Sequence, residues 1–86
     1  MKLKRVNNSK KPTTEQMLRM AENLQRLYKE PCHIETGAWC FSNSSTQIHY
    51  DLYIQHFKST EHFKTWPELM KFYRELIKEG LNGSKT

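Results

Sequence analysis

His49 and Asp51 stand two residues apart in the stretch 46–57, T-Q-I-H-Y-D-L-Y-I-Q-H-F. A carboxylate can hold a neighbouring imidazole as a general base, so this pair, with Glu35 in reach from an adjacent strand, is where proton-transfer chemistry would be sought. No activated nucleophile accompanies the pair, and the chain has no nucleophile elbow, P-loop or dinucleotide fingerprint. Cys32, His33, Cys40, His49, His56 and His62 supply metal donors in number but not in spacing. No C-x-x-C or H-x-x-x-H occurs, and Cys32 and His33 would point to opposite faces of a strand. These residue types predict neither an enzyme, nor a metal centre, nor a bound cofactor.

Contact chemistry is better represented. Residues 46–57 alternate with period two, placing Ile48, Tyr50, Leu52 and Ile54 on a buried face and Gln47, His49, Asp51, Tyr53 and Gln55 on an open one. Residues 32–42 form the partner strand of a hairpin. With Asn43-Ser44-Ser45 as a three-residue loop, Ser42 falls opposite Thr46, Cys40 opposite Ile48, Ala38 opposite Tyr50, Thr36 opposite Leu52 and Ile34 opposite Ile54. Every apolar side chain of the second strand then meets a small or apolar neighbour, and Gly37 marks a bulge. The open face carries His33, Glu35, Trp39, Phe41, His49, Asp51 and Tyr53, with Trp39 opposite His49 and Glu35 opposite Tyr53. Three aromatics on a solvated face mark a contact surface, and Trp and Tyr are enriched among residues that dominate binding energy.

Two helices must hold this hairpin. Thr13 and Gln16 form a capping box, Met17, Met20, Ala21, Leu24, Leu27 and Tyr28 an apolar stripe, and Pro31 a stop near Lys29 or Glu30. Glu15–Arg19 and Glu22–Arg26 are favourable i,i+4 pairs. Thr65 and Glu68 cap a second helix with Pro67 in its first turn and Trp66, Leu69, Met70, Tyr73, Leu76 and Ile77 as its stripe. Gly80 is expected to end it in the left-handed conformation. Lys58 and Ser59 form a turn, after which residues 60–64 allow a short third strand. The expectation is an α+β domain over residues 13–81, both helices on one face of a small antiparallel sheet, between a disordered arm (1–12) and a frayed tail (82–86).

Length and charge narrow the function. Eighty-six residues make one domain, which buries only about 60% of its unfolded surface and leaves little core around a catalytic cleft. No apolar run is long enough to span a bilayer, and no secretory signal follows the basic N-terminus, so a cytoplasmic location without membrane partners is expected. Of the net charge of +5, all sits in the arm on Lys2, Lys4, Arg5, Lys10 and Lys11; beyond it nine basic residues balance nine acidic ones. Cys32 and Cys40 lie about 26 Å apart on a straight strand, too far for a disulfide, and read as buried reduced thiols.

The element order is similar to that of the double-stranded-RNA-binding domain, which runs helix, three strands, helix. That family opens its second helix with a Gly- and Lys-rich phosphate-binding stretch. Lys64-Thr65-Trp66-Pro67-Glu68 stands here instead, with one lysine and an acid, and the resemblance ends at topology. The sequence therefore predicts a small protein-binding module that acts as a regulator, adaptor or inhibitor of a larger protein or complex. By size and style this includes inhibitors that phages direct at host defence complexes. Its contact residues would be Trp39, Phe41, Tyr53, His49, Asp51 and Glu35, and a sheet-to-sheet homodimer would use the same face. The alternative is a nucleic-acid-binding accessory protein using the basic arm and the sheet aromatics.

Overall fold

The computed structural model describes residues 3–7 and 11–84, with Ser84 described by its backbone alone. The chain runs α1 (Thr14–Tyr28), β1 (Cys32–Cys40), β2 (Thr46–Ile54), β3 (Ser59–Phe63) and α2 (Trp66–Ser84). The strands form an antiparallel sheet in the order β1-β2-β3. Both helices lie on one face of it, α1 against β1 and α2 against β2 and β3. This is the α+β domain expected, with β3 present and shifted one residue earlier. No helix among the described residues is long and apolar enough to cross a membrane.

Local chemistry sets the boundaries. Thr13 caps α1, its hydroxyl accepting the Gln16 N–H at 3.1 Å, and Lys29 closes the helix in the left-handed region by donating its N–H to the Gln25 carbonyl. The Thr65 hydroxyl accepts the Glu68 N–H at the start of α2. Gly80 does not end that helix. It lies in the helix interior, where an added Cβ would come within 3.1–3.2 Å of Leu27, so its missing side chain allows α1 and α2 to approach closely. The helix continues through Leu81 to Ser84.

The hairpin keeps its predicted faces but not its predicted register. Ile34 pairs with Leu52, Thr36 with Tyr50, Ala38 with Ile48 and Cys40 with Thr46, two residues away from the expected match. The loop has the expected length but is centred one residue earlier. Phe41 and Ser45 pair through Phe41 N–H to Ser45 O, and Ser44 N–H donates to Phe41 O with Ser44 at φ 67°. That is a three-residue turn with its last residue left-handed. Within this turn the Asn43 carboxamide oxygen accepts both the N–H and the hydroxyl of Ser45. A slip of two residues conserves the faces, which is why alternation alone could not detect it. β2 also stops at Ile54, earlier than Phe57, because the turn through Lys58 (φ 54°) begins there.

The core joins Met20 and Leu24 of α1, Leu52 and Ile54 of β2, and Trp66, Leu69, Met70, Tyr73 and Leu76 of α2. Cover runs out along the hairpin. On the helix side Ile54 and Leu52 are buried, Tyr50 is half-buried and Ile48 is 56% exposed. Ile48 was expected inside; it lies on the strand's inward face, beside the start of α2 but not covered by it. The distal hairpin thus projects from the body. The radius of gyration of 14.0 Å exceeds the about 12 Å typical of a compact chain of this length.

Where a disordered arm was expected, Val6 packs against the core and the Lys4 backbone is held on both sides by buried Asn23. The Lys4 ammonium pairs with Glu22, holding that carboxyl below its ordinary range. Lys2 and Lys10 lie outside the described residues, as do residues 85 and 86 of the expected tail.

The two thiols differ. Cys40 is exposed rather than buried, because it stands on the projecting hairpin; Cys32 is half-buried, and burial pushes its pKa up to about 12. Burial also raises the phenols of Tyr28 and Tyr73. All three groups stay neutral in the fold where the unfolded chain would ionise, so their stabilising effect is complete below their unfolded pKa values, about 8.5 for thiol and 10 for phenol. It is lost as pH climbs through the folded values. Urea midpoints measured from pH 8 to pH 12 should therefore fall steadily, and Cys32→Ala should flatten the lower part of that decline.

Candidate functional site

The open face of the sheet is centred on Asp51. Its cross-strand partners are Glu35 on β1 and His62 on β3, and His49 precedes it by two on its own strand. Asp51 is only 7% exposed, although its face of the sheet has no helix over it; neighbouring side chains provide the cover. His49 Nδ1 lies 3.1 Å from Asp51 Oδ2, and His62 Nδ1 lies 2.5 Å from Asp51 Oδ1. A carboxylate in its ionised form only accepts, so these contacts are hydrogen bonds in the tautomers that carry a proton on Nδ1. One buried carboxylate thereby orients two rings.

The two rings have different exposures. His49 is tilted beside Trp39, with ring centroids 6.1 Å apart. It also occupies the space above Gly37, where an added Cβ would fall 2.4 Å from Nε2 and 2.6 Å from Cε1. Gly37 pairs regularly with His49 and makes no bulge; its place is explained by the imidazole lying over it. Gly37→Ala is expected to push that ring aside and detach it from Asp51, at a cost of about 1 kcal/mol, the net worth of one hydrogen bond. A thermal melt and the His49 ring resonances would report both effects together. The His62 side chain is 72% exposed, so its Nε2 faces solvent.

Trp39, Phe41, Gln47, His49, Asp51 and His62 line one shallow depression. Four of the six residues expected to bind a partner, Trp39, Phe41, His49 and Asp51, therefore come together. Trp39 stands opposite Gln47 rather than His49, and Glu35 opposite Asp51 rather than Tyr53, following the two-residue slip. Glu35 is paired sideways with His33 at 3.2 Å. Tyr53, half-buried between His33 and Thr60, lies beyond Asp51 at the other end of the face. His62 and Gln47 are additions. With Lys58 and Ser59 as the turn, His62 would have fallen opposite Gln55; the longer turn over residues 55–58 is what sets it against Asp51.

No hydroxyl or thiol is among the residues lining the depression. Among the described residues no three His, Cys, Asp or Glu side chains are placed to hold a metal ion. Of the basic arm, Lys4 is paired with Glu22, while Arg5 and Lys11 are exposed. Comparison of the chain with family models, with curated proteins and with solved structures finds no match to any of them.

Proposed function

We propose that this protein is a non-enzymatic binding module that engages a larger protein partner through the open face of its projecting hairpin, acting as a regulator, adaptor or inhibitor. The observation that carries this reading is the exposure of Trp39 (59%) and Phe41 (46%) beside a polar centre already fixed by the Asp51 hydrogen bonds. Large aromatics have few rotatable bonds to fix when a partner covers them, and such residues dominate binding energies. Glu35 and Asp51 on the same face disfavour a phosphate backbone as the occupant, and the Lys4–Glu22 pair diverts one charge from the arm.

A photo-crosslinking residue at position 39 should capture a discrete partner from the native host, whereas one at exposed position 71 on α2 should not. Trp39→Ala should weaken that complex by about 2 kcal/mol, roughly 30-fold in Kd, with no loss of thermal stability. Equal capture at both positions, or a domain that melts on losing Trp39, would overturn the reading.

A further inference from the structure

On the opposite side of the sheet, between β3 and α2, lies a cavity of about 230 Å³. Its floor is apolar, made by Leu52 and Ile54 of β2 and Leu76 of α2, and Phe57 and Phe72 stand along its walls. The cavity exists because β3 does not fill it. The inward positions of that strand opposite Ile54 and Leu52 are Ser59 and Glu61, where a sheet packed on a helix would ordinarily place apolar side chains. Glu79 faces the same space from α2, one turn beyond Leu76. Among the described residues neither Glu61 nor Glu79 has an ion-pair partner.

We infer that this cavity is a second binding site, which takes an arginine side chain presented by a partner protein. The chemistry selects that side chain over other occupants. Its aliphatic stem suits the apolar floor, its planar cation stacks on aromatic walls, and its fork of N–H donors can serve two carboxylates at once. A neutral aliphatic residue would leave both glutamates without a counter-charge, and an anion would be repelled. Lysine would supply the charge but neither the stacking plane nor the fork. The site is independent of the hairpin reading, since Trp39 and Phe41 lie on the other face.

The test uses the full chain and nuclear magnetic resonance titrations with blocked arginine (N-acetyl-arginine N-methylamide) and its neutral isostere, the equally blocked citrulline. Blocked arginine should shift the amides of residues 59–63 and 72–79, and blocked citrulline should bind about tenfold more weakly, as expected when charge-assisted hydrogen bonds are lost. The double variant Glu61→Gln with Glu79→Gln should erase that difference without altering the melting temperature. In a separate arm, Glu61→Leu should fill the cavity, abolish binding and leave the fold intact. Equal binding of the two probes, or shifts located elsewhere, would overturn the inference. Tighter binding of free arginine than of the blocked form would assign the cavity to a metabolite and overturn the protein partner. Shifts of the same amides on concentrating the free protein would assign it to a second copy, with the same consequence.

Discussion

Leu52→Ala is expected to remove a large share of the stability of this small domain. Leu52 is 1% exposed on the central strand, between Ile34 and Glu61 across the sheet, and belongs to the one cluster that joins both helices to the strands. Truncating a buried leucine costs about 3–5 kcal/mol, most where the surroundings cannot collapse. Here the side chain already borders the unfilled space beneath β3, so the void would widen rather than close. An 86-residue domain has about 4–13 kcal/mol in total by the usual per-residue scale. Ile48→Ala is the matched control. It lies on the same strand with the same parity yet beyond helix cover, and should cost under about 0.5 kcal/mol. Urea midpoints of the two variants measure the contrast; equal losses would show that the core extends to the end of the hairpin.

Asn23→Asp should be nearly as damaging at neutral pH, and acid should repair it. The Asn23 carboxamide is buried, accepts the Lys4 N–H at 2.8 Å, and donates to the Lys4 carbonyl at 2.9 Å and the Tyr73 hydroxyl at 3.0 Å. An aspartate keeps the acceptor but sets a charged oxygen against the Lys4 carbonyl in a site closed to water. Losing the donors and burying the charge should cost about 3 kcal/mol or more. Burial raises the folded pKa of the new carboxyl above its unfolded value of about 3.9. Stability is therefore fullest when the group is protonated, below that value, and is lost as pH rises through the folded one. Urea midpoints at pH 3.5 and pH 7 should converge on and diverge from those of the parent protein in that order. A deficit independent of pH would mean that the Lys4 backbone moves away and lets water reach the carboxyl.

Both predictions bear on how much could be read without coordinates. Strand parity, helix stripes and the Thr13 and Thr65 caps were legible because each depends on neighbours a few residues apart. The hairpin register was not, because a slip of two residues leaves every side chain on the same face. Gly80 and Gly37 were misread for a shared reason: each looks like a backbone device in sequence, yet each makes room for a side chain from another element, Leu27 and His49. Asn23 was passed over although it falls on the buried stripe three residues after Met20; its partners, Lys4 and Tyr73, are 19 and 50 residues away. At the candidate site the aromatics were visible as exceptions to alternation, whereas the clustering around Asp51 required knowing what β3 places beside it.

Because the distal hairpin is not covered by the helices, it can open and re-form while the body stays folded. Amide exchange should show this as fast exchange at Phe41 and Ser44 and slow exchange at Leu52. Substitutions over residues 38–48 should therefore cost little stability, because that exposed stretch contributes nothing to the core. Sequence drift constrained by folding alone would show first at this end of the molecule.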